Sequence, residues 1–336
     1  MKNLLKSGKW GAKAATGGAI VLFLMLLPHI FKGAFPHHVM TMMCIWAILG
    51  LGWNYIGGYA GQVSNGHALY YGIGAYTCAL SMQWLRLSPW ISMWLGVALS
   101  AAIAAVIGKP LLRFRGPIFA IATMAIAECG RIAFINIREI GGATGVYFYN
   151  VNLPAFASMQ FRNSYMYYYV YLAFAAGVFL LTKLLDKSKF CYYLRTIRGN
   201  ETAAESVGIN TGRYKMLAYM LSAAIVSLAG SLYAQFMLYI DPMQLMTLNI
   251  SMMIVLVAVM GGIGTVIGPI IGAVVLTFIS EYTRVYLGKY GGLDMILYGA
   301  LVILIVLFLP KGLISLKDKY ADWKSRQNDK RMEVAK

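Results

Sequence analysis

Long apolar stretches, each bounded by polar or basic residues, constrain this chain more than any other feature. Ten can be drawn, near residues 16–32, 39–57, 66–84, 90–108, 117–137, 164–182, 214–239, 243–262, 265–287 and 293–310. Each has roughly the 17–25 residues that a helix needs to cross the hydrocarbon of a bilayer. Hydrocarbon offers no hydrogen bonds to the backbone, so stretches of this length must be helical. Only 12 % of the residues are charged, against about 25 % in soluble domains. The expected fold class is an all-α polytopic integral membrane protein with about ten transmembrane helices.

The net charge of +17 is unevenly placed. Basic residues cluster at Lys2, Lys6, Lys9 and Lys13, at Lys109, Arg113 and Arg115, from Lys183 to Lys215, and from Lys311 to Lys336. A nucleic-acid binder would show a folded basic face, whereas these clusters flank apolar stretches. The positive-inside rule puts all four in the cytoplasm, and both termini with them; contact with anionic lipid headgroups follows from the same charges. The longer outer loops, 138–163 and 287–293, carry only Arg138, Arg162 and Lys289 as basic residues. Three regions result: a basic cytoplasmic amino terminus (1–15), one membrane domain (16–310) with a cytoplasmic loop at 183–215, and a cytoplasmic tail (311–336) read as surface helix or disorder. The stretch after Gly17 leads to Pro36-His37-His38 rather than to a small-residue cleavage site, so no cleavable signal is expected. Tyrosines around the outer loop, among them Tyr147, Tyr149, Tyr165, Tyr167, Tyr168 and Tyr169, suit an interfacial aromatic belt.

The loop 183–215 contains IRGNETAAESVGIN, Ile197 to Asn210. Thr202 and Glu205 form a T-x-x-E capping box, Ala203 and Ala204 favour helix, and Gly208 can close it in a left-handed cap. About two turns result, too few to persist in water, so the helix is expected only when docked on something. A loop that pushes on a partner needs such a helix.

Chemistry-bearing residues are sparse. Gln62, Ser64, Asn65 and His67 stand together in Gly61–His67, between two spans. They must face a cavity, water or one another, as a gate or inner mouth, or else form a solvated turn. Glu128 and Arg131 are three apart on the fifth stretch, on one helix face. At ~1.5 Å per residue Glu128 lies about 16 Å along that helix, near mid-membrane. The pair is either a functional site or a pin between helices. Gly141-Gly142-Ala143-Thr144-Gly145 lacks the GK[ST] of a phosphate loop and reads as a flexible outer turn. Two Gly-rich turns, Gly57–Gly61 and Gly261–Gly264, sit at the same membrane face and precede Gly-spaced helices, as a parallel repeat would. No nucleophile triad, zinc signature, CxxC pair or nucleotide fold is present, so no cofactor is expected on this chain.

Five segments taken together carry a resemblance: GYAGQVSNGHALYYGIGAY (Gly58 to Tyr76), RGPIFAIATMAIAECGRI (Arg115 to Ile132), GGATGV (Gly141 to Val146), RTIRGNETAAESVGINTGRYK (Arg195 to Lys215) and GGIGTVIGPIIGA (Gly261 to Ala273). In order and spacing they resemble the permease subunits of branched-chain amino-acid ABC importers of the LivM type, from about residue 40 to Leu313. Urea and short-amide permeases are similar. Two positions depart from the pattern: Asn65 replaces a usually apolar residue in GQ-x-S-x-GH, and Ile140 stands where Thr usually precedes the Gly pair.

The resemblance implies a type II-like permease bundle in a bacterial inner membrane. It implies pairing with a second related permease, two cytoplasmic ATPases that use the ATP, and a periplasmic binding protein that delivers substrate. Glu201, Ala203, Ala204 and Gly208 match the family's coupling helix, with Arg198 and Glu205 as its charged rim. An ion-coupled secondary transporter, with Glu128 and Arg131 as relay, is the alternative of another class.

Overall fold

The computed structural model describes residues 23–31, 33–148, 156–161 and 163–290, together with 292, 296, 299, 300, 303, 304, 307 and 312–315. The basic amino terminus, residues 16–22 of the first apolar stretch, most of the tenth, Tyr149, Arg162 and the tail beyond Ser315 lie outside the described residues.

The chain is built from helices: α1 (23–30), α2 (Ala34–Trp53), α3 (His67–Leu85), α4 (Pro89–Leu111), α5 (Pro117–Asn136), α6 (Ser164–Asp186), α7 (Lys189–Gly199), α8 (Glu201–Ser206), α9 (Thr211–Met237), α10 (Pro242–Leu245), α11 (Leu248–Gly261) and α12 (Gly268–Leu287). Proline near the first helical position opens α4, α5, α10 and α12, where its missing N–H costs nothing. α2 runs on as a π-helix, Asn54–Tyr59, through Gly57-Gly58, where the absence of side chains lets the winding loosen.

Among the described residues, seven helical segments are long and apolar enough to cross a membrane: Ala34–Tyr59, Pro89–Leu111, Pro117–Asn136, Ser164–Asp186, Thr211–Met237, Pro242–Gly261 and Gly268–Leu287. They coincide with seven of the expected stretches. The third, α3, is helical but less apolar. It carries Tyr70, Tyr71, Tyr76 and Ser81 and is buried within the chain over most of its length. A helix wrapped by protein needs no lipid-compatible surface and can hold tyrosine hydroxyls in pairs, as Tyr70 does by donating to the Tyr219 hydroxyl at 2.9 Å.

α9 is the post of the bundle, with α3 and α4 along it and α2 crossing it. Its small residues make this possible. Ser231 Oγ donates to the Gly74 carbonyl at 2.9 Å, and a Cβ on Gly74 would lie 2.0 Å from the Ser227 carbonyl oxygen. α2 also meets α6, α11 and α12.

At the tyrosine-rich end a two-residue antiparallel ladder joins β1 (Val146–Tyr147) to β2 (Tyr239–Ile240). It holds the Gly141–Gly145 segment, in which Gly141, Gly142 and Gly145 all have positive φ. This turn, expected to be flexible, is instead tied to the loop after α9. Nor are all the tyrosines belt residues. The Tyr168 and Tyr169 hydroxyls donate to the Leu24 and Met25 carbonyls and so anchor α1.

The opposite, basic end gathers both Gly-rich turns. Gly312–Ser315 come back to it, with the Leu313 N–H donating to the Met260 carbonyl at 2.7 Å. The first part of the expected surface tail is therefore docked, and after α12 the chain returns to the end from which that helix departs.

Candidate functional site at the glycine turns

Asn54, fully buried, clasps the second turn from the first. Its Nδ2 donates to the Thr265 carbonyl and its Oδ1 accepts from the Gly264 N–H, both at 2.8 Å. The two turns paired in the sequence by their glycines thus touch in space. Onto this junction α7 lowers one side chain. Arg198 Nη1 donates to the Gly58 carbonyl at 2.6 Å, and its stem covers Gly61, where a Cβ would lie 2.8 Å from Arg198 Cγ. Gly61 has φ +73°, which a side chain would strain in any case.

A second strut runs beside it. The Tyr59 hydroxyl donates to Asp186 Oδ1 at 3.1 Å, Arg195 pairs with the same carboxylate, and its guanidinium lies 5.1 Å from the centre of the Tyr59 ring. Within α7, burial pushes the Cys191 thiol up to about 11.

α8 follows at once, one turn and a half where the sequence suggested two. Its cap differs from the expected one. Asn200 Oδ1 accepts from the Ala203 N–H at 3.1 Å, whereas Thr202 and Glu205 form no box; Glu205 accepts instead from the Thr211 hydroxyl at 2.7 Å. The reason is local competition, since an asparagine directly before the helix satisfies the orphan N–H groups two positions earlier than Thr202 could. Gly208 does close the helix, with φ +85° and its N–H on the Glu205 carbonyl.

Arg198, expected on a charged rim, is exposed along its length while its guanidinium bonds the Gly58 carbonyl. Glu201 is likewise engaged within the chain. It bonds Lys215 Nζ at 2.5 Å and Arg115 Nε at 3.2 Å, and Lys215 is 1 % exposed. Ala204 is fully buried beneath it, while Ala203, Glu205 and Gly208 face outward with Val207, which is 73 % exposed. Lys215, Arg115 and Val207 were not among the candidate residues read from the sequence.

The Gly61–His67 turn is not a solvated loop. Gln62, Ser64 and His67 are buried and Asn65 partly so. His67 Nε2 meets Ser222 Oγ at 2.7 Å, the Trp53 indole N–H donates to the Ser64 carbonyl, and the Asn65 N–H donates to Thr123 Oγ1. The turn is thus bound to α2, α5 and α9, directly behind the junction.

Glu128 and Arg131 stand elsewhere, on α5. Arg131 Nε donates to both Glu128 oxygens at 3.1 and 3.0 Å, and Nη2 completes the pair. Their side chains are 38 % and 22 % exposed. A cleft of about 710 Å³ opens between α4, α6 and α9, but Trp90, Trp94, Tyr169, Phe174 and aliphatic side chains line it. It suits lipid chains rather than a charged solute.

Residues 35–306 match the family described as branched-chain amino acid transport system, permease component. The chain belongs to this family. The matched range holds both glycine turns, α7 and α8. With seven membrane-length helices and this membership, the permease is a multi-pass membrane protein. It is similar to the high-affinity branched-chain amino acid transport system permease protein LivM of Salmonella typhimurium, 29 % identical over 86 % of this chain and 72 % of that one. LivM of Escherichia coli is 27 % identical over 83 % and 69 %. LivH of Escherichia coli is 26 % identical over 87 % of this chain and 96 % of its own.

Proposed function

We propose that this permease is the membrane-spanning subunit of an ATP-driven ABC importer for branched-chain or other hydrophobic amino acids. It forms half of the translocation path and binds no nucleotide itself. Its partners are a second homologous permease, two ATPase subunits at the basic end and a periplasmic binding protein. The membrane is the bacterial inner membrane, with the basic end and both termini cytoplasmic. Similarity to proteins named LivM and LivH alike supports pairing of two related permeases.

The observation that carries this reading is Arg198 in the glycine junction. A two-helix unit, α7 and α8, presents Ala203 and Val207 outward while its arginine grips the turn between α2 and α3. Force applied to α8 from outside reaches the bundle through that bond and through the Tyr59–Asp186–Arg195 strut. ATP-driven closure of the ATPases displaces α8, and the helices exchange outward-open and inward-open arrangements. A secondary transporter needs no such lever. Gln62, Ser64, Asn65 and His67 act as the hinge of the gate, and Glu128 and Arg131 face the path.

The test is to purify the chain with the products of its neighbouring genes and measure which solutes stimulate ATP hydrolysis. Stimulation by leucine, isoleucine or valine supports the reading. Stimulation by urea or short amides moves the cargo to that class, and uptake that persists without ATP but collapses with an uncoupler overturns the importer mechanism. Cross-linking from Ala203 must reach an ATPase subunit; contact with lipid or water alone sinks the lever.

A further inference from the structure

α4 and α6 both touch α9 but splay apart, and the cleft of about 710 Å³ lies between them. Along α6 it runs from Tyr169 to Leu181, a rise of about 18 Å at ~1.5 Å per residue. Each limit stands about 7 Å inside an end of α6, Ser164–Asp186. The cleft is therefore centred at the depth of bilayer hydrocarbon, where neither water nor a headgroup resides. Toward the tyrosine-rich end it is roofed. The Trp90 ring stacks on Phe156 at 5.5 Å and on Phe174 at 6.1 Å, and its indole N–H donates to the Phe156 carbonyl at 2.9 Å. Gly177 keeps the middle wide, since a Cβ there would meet nothing within 4 Å. Toward the basic end the same three helices lead to cations. Lys109 and Arg113 stand at that end of α4, Lys187 at that end of α6 and Arg213 at that end of α9. All four are exposed, and none is in an ion pair among the described residues. Asp186, the single carboxylate in the three helices, is held by Arg195 and the Tyr59 hydroxyl.

We propose that this cleft binds an anionic phospholipid of the leaflet at the basic end, with one acyl chain between α4 and α6 and the phosphate among Lys109, Arg113, Lys187 and Arg213. The apolar lining excludes a polar solute. Spread over its rise, the 710 Å³ gives a section of about 40 Å², about half that of a helix ~10 Å across. A hydrocarbon chain is slender enough to enter where a helix is not. Between cleft and cations the surface stays apolar, with Leu184 and Leu217 exposed at 73 % and 42 %. That stretch is short: at ~1.5 Å per residue, Lys187 lies about 9 Å beyond Leu181 and Arg213 about 12 Å beyond Leu221. One lipid can therefore span both features, its chain in the cleft and its headgroup at the interface. The sign of the headgroup follows from the four unpaired cations, since basic residues at a membrane surface attract anionic lipid. Lys187 directly precedes Ser188, the cap of α7, so the bound phosphate also braces the corner from which α7 starts.

The floor of the cleft reports on occupancy. Ile225 and Leu228 of α9 line it and are only 5 % and 6 % exposed, so lipid packed against the outside of the bundle does not reach them. The experiment places the full-length chain, with the subunits that co-purify with it, in phosphatidylcholine vesicles. These carry a small, equal fraction of either phosphatidylglycerol or phosphatidylcholine with a photoreactive diazirine on one acyl chain. After illumination, labelled residues are located by peptide mass spectrometry. Ile225 and Leu228 are expected to be labelled by the phosphatidylglycerol probe about fivefold more than by the phosphatidylcholine probe, the preference that one cation near the surface supplies. Gly177→Phe, which fills the cleft, is expected to abolish labelling of the floor by both probes. K109Q/R113Q/K187Q/R213Q is expected to keep the floor labelled and to bring the two probes level.

A wild-type floor that neither probe labels overturns the site, and benzoylphenylalanine in place of Trp94 that cross-links to another subunit then assigns the cleft to a protein. Equal labelling of the wild-type floor by the two probes overturns the anionic headgroup. Labelling that survives Gly177→Phe, or a preference that survives loss of the four cations, overturns the assignment of chain or phosphate to these residues. The wild-type comparison decides the matter even if a variant fails to assemble.

Discussion

The Arg198 guanidinium of α7 donates a 2.6 Å hydrogen bond to the carbonyl oxygen of Gly58, 140 residues earlier in the chain. Gly58 lies in the π-helical end of α2, and a Cβ there would meet Asn54 Oδ1 at 1.8 Å. No side chain other than hydrogen lets the Asn54 clasp and the Arg198 bond share that peptide.

Arg198→Ala removes a hydrogen bond with a charged donor, about 1.5–3 kcal/mol. Uptake by the proposed importer is expected to fall tenfold or more, with ATP hydrolysis retained and membrane insertion unchanged. Measuring both activities in one vesicle preparation checks this. Equal loss of hydrolysis and uptake would assign Arg198 to ATPase assembly instead of to force transfer.

Glu201→Gln leaves Lys215 buried at 1 % exposure with its carboxylate partner neutralised. Removing one member of such a pair costs about 3–5 kcal/mol, so thermal unfolding in detergent is expected to shift down by several degrees. Glu201→Gln with Lys215→Met is expected to recover most of the loss. If the double variant is no more stable than the single one, the ion pair does not seat α8.

Gly74→Val forces a side chain to within 2.0 Å of the Ser227 carbonyl at the α3–α9 crossing. The expected cost exceeds about 3 kcal/mol, enough to deplete folded protein. Gly177→Ala, where a Cβ meets nothing within 4 Å, is the matched control and is expected to express normally. Size-exclusion profiles of the two variants side by side decide the matter.

Burial raises the Cys191 thiol to about 11, so it stays protonated in the folded chain at pH 8. Alkylation with iodoacetamide at that pH is expected to modify Cys129 promptly and Cys191 only after denaturation. The linkage has a definite sign. The folded state favours the neutral thiol, so this contribution to stability is complete below the ordinary cysteine value near pH ~8.5. It declines as pH rises toward about 11. Rapid modification of Cys191 in the native protein would show α7 detached from α9.

Helix placement and the short helix at Glu201–Ser206 were legible because span length, caps and helix formers act over a few residues. Gly208 could be assigned its turn for the same reason. The cap at Asn200 was misread as Thr202 because both residues suit the role, and only the emerging backbone direction chooses between them. α3 was legible by length although its tyrosines lower its hydropathy, because its environment is protein rather than lipid.

By itself, then, the sequence determined a helical membrane protein, its basic and tyrosine-rich ends, and which loop carries a marginal helix. These follow from burial of apolar length and from local hydrogen bonding, which depend on near neighbours in the chain. Only the tertiary structure decided that Arg198 reaches the Gly58 carbonyl, that Glu201 is held by Arg115 and Lys215, and that Glu128 and Arg131 pair with each other. A long charged side chain reaches several ångströms in any direction, so its partner is set by which backbones the packing brings near, and that choice is made across a hundred residues rather than four.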